Sequence, residues 1–65
     1  MNLDYSSLIR KLRAKLNVSQ EELARVLGVS FSSVNRWENE RHEPTIIAQE
    51  KLKDLCKENN IDLEN

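Results

Sequence analysis

The feature that most constrains the fold of this chain is a pair of short amphipathic patterns on either side of its only glycine, Gly28. Before Gly28, apolar residues recur at three- and four-residue spacing, which places them on one face of a helix: Leu23, Ala24 and Leu27. After Gly28, Val34 and Trp37 share a helix face in the same way. Glycine readily adopts the left-handed backbone that ends many helices. The sequence therefore predicts two short helices joined by a tight turn.

Serine residues mark where both of these helices begin. Ser19 can accept a hydrogen bond from a free backbone N–H, and Glu22 three residues later completes a capping box. Ser30 is placed to cap the second helix. The predicted helices cover residues 20–27 and 31–40. Two helices joined by a short turn that contains glycine form a helix-turn-helix unit.

One further helix is predicted on the amino-terminal side of this unit. It covers about residues 6–16, with Asp4 or Ser6 as its N-cap and Asn17 as a left-handed C-cap. Its apolar stripe is expected to cover the two central helices and consists of Leu8, Ile9, Leu12 and Leu16.

A fourth helix is predicted to begin after Pro44, to be capped by Thr45, and to extend to residue 58 or 59. Its inner face is expected to hold Ile47, Ala48, Leu52, Leu55 and Cys56. Sixty-five residues provide too little apolar surface for a second core. The predicted fold is therefore one small all-α domain over residues 1–65, with four helices around a core that includes Leu12, Leu23, Leu27, Val34 and Trp37.

Composition excludes several classes of function. A single cysteine, Cys56, and a single histidine, His42, rule out an internal disulfide and paired zinc ligands. No apolar run approaches the ~20 residues that cross a bilayer, and the amino end lacks the pattern of a signal peptide, so a cytoplasmic protein without membrane partners is expected. No catalytic constellation or phosphate-cradling glycine loop is present, so we expect neither an enzyme, nor a cofactor, nor a small-molecule ligand.

Charge is distributed unevenly along the chain. The net charge is −1, which argues against a nonspecific polyanion binder, since such a protein would be basic overall. Residues 1–44 hold seven Lys and Arg against six Asp and Glu, whereas residues 45–65 hold three against five. A surface that contacts nucleic acid would therefore be a local patch, with the acidic segment turned away from it.

The segments SQEELA, LGVS and VNRWE resemble the helix-turn-helix of the phage-repressor family, which includes relatives of lambda repressor and Cro and bacterial regulators of the xenobiotic-response-element type. The similarity covers about residues 8–44. It implies sequence-specific binding of double-stranded DNA, most simply by a bacterial or phage transcriptional regulator such as a repressor. Helix 31–40 would then lie in the major groove.

The resemblance also implies roles for residues that flank this recognition helix. Gln20 would contact a DNA phosphate through its amide and brace the start of helix 31–40; the alternative is a solvated residue. Arg41 would contact the phosphate backbone from the following loop. The complete expected DNA-contacting set is Gln20, Ser30, Phe31, Ser32, Ser33, Asn35, Arg36, Asn39 and Arg41.

Within the recognition helix the side chains differ in what they can specify. Asn35 can form a two-pronged pair with adenine, and Arg36 can do so with guanine or can instead hold a phosphate. Ser32 and Ser33 can meet either a phosphate or a base. Phe31 faces outward at this position in the family and would suit a thymine methyl group; the alternative is that its ring folds back into the core beside Val34.

Family resemblance further implies an ion pair between Glu38 and Arg13, which would fix the first helix against the third; two independent surface charges are the alternative. Many relatives carry a fifth helix that supplies a dimer contact, and here one longer helix takes the place of the last two. A homodimer on DNA remains an expectation, with Ile61 and Leu63 as candidate contacts. Other interpretations are a DNA-targeting module of a larger protein, an antitoxin that represses its own operon, and a protein-interaction module without DNA binding.

Overall fold

The structure is a computed structural model that describes residues 4–63. Within this range there are four helices and no strand, and they follow one another as α1 (Tyr5–Leu16), α2 (Gln20–Leu27), α3 (Phe31–Glu38) and α4 (Ile46–Glu58). The predicted all-α, four-helix fold is confirmed. Between residues 4 and 63 no helix is long and apolar enough to cross a membrane.

Local sequence signals set the ends of α1. Asp4 is the N-cap, because its carboxylate accepts a hydrogen bond from the backbone N–H of Ser7 at 3.3 Å. Ser6, the other candidate cap, lies inside the helix and is buried. Asn17 ends the helix in the left-handed conformation, with φ 58°, as predicted.

The turn between α2 and α3 forms as its sequence predicts. The Ser19 hydroxyl accepts from the backbone N–H of Glu22 at 3.0 Å, and the Glu22 carboxylate accepts from the backbone N–H of Ser19 at 2.9 Å. Gly28 ends α2 with φ 73°, a conformation that a side chain would strain. Ser30 then caps α3 by accepting from the backbone N–H of Ser33 at 3.1 Å. Both caps and the glycine therefore fix the angle at which α3 leaves α2.

The carboxyl end of α3 differs from the prediction, which extended this helix to residue 40. The helix ends at Glu38, Asn39 is its C-cap, and Glu40 takes a left-handed backbone with φ 60°. Two backbone hydrogen bonds close the turn, from Arg41 to the carbonyl of Arg36 and from Glu40 to the carbonyl of Trp37. A left-handed residue ends the helix here although no glycine marks the position.

The core lies where α1, α2, α3 and α4 meet. All five predicted core residues are buried, with Trp37 the most exposed of them at 6%. In α4 the inner stripe consists of Ala48, Leu52 and Cys56, which recur every four residues. Burial raises the pKa of the Cys56 thiol, so this cysteine remains a protonated, apolar core residue.

One prediction about the carboxyl-terminal segment was wrong. Ile47 was expected on the inner face of α4 but is 71% exposed, because the stripe begins one residue later at Ala48 and a helix turns by about 100° per residue. Ile46 beside it is equally exposed. Ile61 and Leu63, the candidate dimer contacts, are partly buried and pack against the core of their own chain, which leaves part of each side chain exposed.

Candidate nucleic-acid interface

The outer face of α3 carries exposed side chains of different chemistry. Phe31, the first residue of the helix, is 51% exposed and lies outside the core cluster. Ser32 and Arg36 are also exposed, and neither side chain has a hydrogen-bond or ion-pair partner among residues 4–63. An aromatic ring, a hydroxyl and a guanidinium are thus available to a ligand along one side of a short helix.

The other serines at the start of α3 are used within the protein. The Ser30 hydroxyl caps the helix, and it also lies 3.0 Å from the Ser33 hydroxyl. Both residues were predicted to contact DNA, and their oxygens can still accept or donate one further bond each. Their first role, however, is to hold the amino end of α3.

Three side-chain amides form a chain across the junction of α2 and α3. Nδ2 of Asn35 donates to Oε1 of Gln20 at 3.1 Å. Nδ2 of Asn39 lies 3.2 Å from Oδ1 of Asn35 and 2.9 Å from the backbone carbonyl oxygen of Asn35. We call these three residues the amide chain. Gln20 therefore meets α3 at its fifth residue and not at its start, where the prediction placed the contact.

The loop after α3 brings Arg41 and His42 beside the start of α1. Together with Trp37 and Tyr5 they line an open cleft of about 500 Å³. In the described part of the chain, no group of three His, Cys, Asp or Glu side chains is arranged to hold a metal ion.

On its inner face α3 is joined to α1 through Glu38, which is 5% exposed. Nη1 of Arg13 lies 3.1 and 2.9 Å from the two carboxylate oxygens of Glu38, and Nε of Arg13 donates to the carbonyl of Val18 at 3.3 Å. The backbone carbonyl of Glu38 accepts from the Ser6 hydroxyl at 2.6 Å and from Nη2 of Arg10 at 2.9 Å. Arg13 and Glu38 therefore form one partly buried ion pair and are not two independent surface charges.

Sequence reasoning missed two participants in this junction. Ser6 was predicted only as a possible N-cap, and no part in this junction was predicted for Arg10, yet both donate hydrogen bonds to the Glu38 carbonyl. Their spacing from Arg13, seven and three residues, places all three on one face of α1, and that signal was present in the sequence. Lys51 was also missed: its ammonium caps α2 by donating to the carbonyl of Leu27 at 3.1 Å.

The two helix starts differ in the charge that they offer a phosphate. The first turn of α2 carries Glu21 and Glu22, whereas the first turn of α3 carries no acidic residue. Hydrogen bonds from Ser19 lower the pKa of the Glu22 carboxyl, so it is ionised and turned back onto its own cap. The free N–H groups of α3 therefore suit an anion better than those of α2.

Comparison with known proteins gives one match. A protein-family model described as a helix-turn-helix matches residues 9–64, which is most of the chain. Neither the curated proteins nor the solved structures include a chain that matches this one.

Proposed function

This chain belongs to the helix-turn-helix family of the lambda-repressor-like type, whose members bind DNA, and from that premise we propose that it recognises a specific double-stranded DNA site as a transcriptional regulator. The observation that carries the proposal is the outer face of α3. Its exposed side chains, Phe31, Ser32 and Arg36, have no hydrogen-bond or ion-pair partner among residues 4–63, while its inner face is fixed to α1 and α2. A recognition helix needs this combination, since base edges are contacted by side chains held at a defined position.

Within the major groove, the exposed residues of α3 divide into two proposed kinds of contact. Arg36 would pair with guanine through O6 and N7, or with a phosphate. Phe31 would contact a thymine methyl group, which removes its half-exposed ring from water. Ser32 would add a hydrogen bond to a base or a phosphate.

Around the groove, Gln20 and Arg41 would set the register of the domain on the phosphate backbone. Gln20 is the first residue of α2, and Arg41 is exposed in the loop after α3. The basic excess of residues 1–44 supports an orientation in which α4, with its acidic segment, faces away from the DNA. The role is one of binding, without catalysis, in the cytoplasm of a bacterial cell.

We further propose that two copies bind together on a two-fold symmetric site. Two recognition helices would then have to be about 34 Å apart, one turn of the duplex. Because Ile61 and Leu63 already pack against the core, only the remaining exposed part of each side chain is available to a partner copy. The contact between copies would therefore be weak without DNA.

The test is selection of bound duplexes from a random double-stranded library at moderate salt. We expect an enriched inverted repeat, and an affinity for the best duplex that falls with added salt, since phosphate contacts release counterions. A single short motif would retain sequence-specific recognition and contradict the two-fold pair. No enrichment by a protein shown to be folded would contradict the proposal itself.

A protein-interaction module is the second candidate, and one observation favours it. Phe31 is half-exposed on α3, and the apolar side chains of Ile46 and Ile47 at the start of α4 are more than two thirds exposed. An apolar contact through such residues would change little with salt, whereas DNA binding would weaken strongly. The salt dependence of binding therefore distinguishes the two functions.

A further inference from the structure

One backbone carbonyl fixes the orientation of the side-chain amides in the amide chain. The carbonyl oxygen of Asn35 lies 2.9 Å from Nδ2 of Asn39, and a carbonyl can only accept a hydrogen bond. The side-chain amide of Asn39 must therefore turn its nitrogen, not its oxygen, toward Asn35. Since Asn39 is the C-cap of α3, this anchor belongs to the end of the helix itself.

From this anchor the orientation of the next two amides follows. Nδ2 of Asn39 also lies 3.2 Å from the Asn35 side chain, which must meet a donor with its oxygen. The nitrogen of Asn35 is then at the opposite end of its amide, where it donates to Oε1 of Gln20 at 3.1 Å. Rotating the Asn35 amide by 180° would set nitrogen against nitrogen on one side and oxygen against oxygen on the other. Only one orientation of the three amides therefore forms all of these hydrogen bonds.

The consequence for Gln20 is a side chain prepared to donate. Its oxygen is occupied by Asn35, while its nitrogen carries two protons with no partner among the described residues. A phosphate oxygen only accepts, so an amide nitrogen with both protons unused matches it without any rotation of the amide. The bond between Gln20 and Asn35 is partly buried, which weakens competition from water for the same groups.

The consequence for Asn35 is that it is a poor reader of bases. A two-pronged pair with adenine requires the oxygen of the asparagine to accept from N6 and its nitrogen to donate to N7. Both atoms of Asn35 already bond within the protein. A pair with adenine would have to use the second proton of Nδ2 and the second lone pair of Oδ1, while the amide is held in its orientation by Gln20 and Asn39.

We propose that Asn35 is a positioning residue, which acts through Gln20 by orienting its amide nitrogen toward a DNA phosphate, and that it does not specify a base. This inference rests on the proposed function, because it assigns a role within the same DNA complex. It leaves base recognition to Phe31, Ser32 and Arg36.

The experiment combines Asn35→Ala, Gln20→Ala and the double variant, each assayed against the duplex selected by the unmodified protein. We expect each single variant to lower affinity by about tenfold, the size of a lost hydrogen bond to a charged group. The double variant should be little weaker than either single variant, since both remove the same contact. Alanine is the best helix former, so Asn35→Ala should keep its helical circular dichroism.

The readout that separates positioning from base recognition is library selection repeated with Asn35→Ala. The same motif should be enriched, at lower affinity, with no base position relaxed. Relaxed preference at one base pair, or losses from the two single variants that add, would overturn the role of Asn35 and leave the proposed function intact. Failure of the unmodified protein to select any duplex would overturn both. Lys57→Ala, an exposed charge on α4, is the control and should match the unmodified protein.

Discussion

The two faces of α3 satisfy their polar groups in opposite ways. On the inner face, the carboxylate and the backbone carbonyl of Glu38 accept four hydrogen bonds, all from α1. On the outer face, Ser32 and Arg36 have no side-chain partner in the described part of the protein. The eight residues of α3 thus serve both stability and binding. The polar groups of the inner face bond to the rest of the protein and fix the helix, so the side chains of the outer face are held in position for a ligand. Substitutions on each face should therefore affect different measurements.

Replacing the largest inner side chain should have the largest effect. Trp37→Ala removes a buried indole and should cost about 3–5 kcal/mol. A domain of this size rarely has more than about 3–5 kcal/mol of stability, so the variant should be largely unfolded at 25 °C. Circular dichroism during urea titration measures this directly.

The matched control is the aromatic residue on the outer face. Phe31→Ala, with a ring that is 51% exposed, should shift the urea midpoint only slightly and should weaken DNA binding instead. Equal stability losses from the two aromatic substitutions would contradict the division of α3 into two faces.

Breaking the buried ion pair should have the next largest effect. Glu38→Gln keeps the shape of the side chain but leaves the Arg13 guanidinium without its charged partner, which should cost about 2–3 kcal/mol. This cost is lower than the roughly 3–5 kcal/mol typical of fully buried pairs, because the Arg13 side chain is still 29% exposed and water can solvate it. Thermal unfolding should be compared with that of Glu50→Gln, an exposed position on α4 where no change is expected. A midpoint equal to that of this control would show that the pair contributes nothing.

On the outer face, Arg36→Ala should leave stability nearly unchanged, within about 0.5 kcal/mol, and lower DNA affinity by about 1–3 kcal/mol. Fluorescence anisotropy with the selected duplex and with single-base variants of it tests both points. If Arg36 contacts guanine, preference at one base pair should relax; if it holds a phosphate, affinity should fall for all sequences and the salt slope should decrease by about 1. An unchanged affinity would place the DNA contact elsewhere.

What could be predicted from the sequence was mostly local. The capping box at Ser19 and the left-handed Gly28 each depend on groups within a few residues, so both can be predicted from the local sequence. The core stripes of α1 and α2 followed from periodicity for the same reason. The end of α3 was missed because Glu40, a residue without special turn preference, takes the left-handed conformation.

What could not be predicted depended on how the helices are placed relative to one another. Ile47 borders the apolar stripe of α4, and only the packing of α4 on α1 and α2 decides that the stripe begins at Ala48. The amide chain likewise requires Gln20 and Asn35, fifteen residues apart, to meet across the turn. Periodicity gives the face of each helix but not the rotation that brings two faces into contact.

The smallest expected effect belongs to Glu22, a charged group that is exposed and yet hydrogen-bonded to its own cap. Its folded-state pKa is lowered because Ser19 stabilises the ionised carboxylate. A lowered folded pKa means that the contribution is fully present above the unfolded pKa and is lost as the pH falls through the folded pKa. The thermal midpoint of Glu22→Gln should therefore lie slightly below that of the unmodified protein at pH 7 and converge with it under acidic conditions. A difference that stays constant with pH would show that Glu22 acts through its shape, as an uncharged acceptor would, and not through its charge.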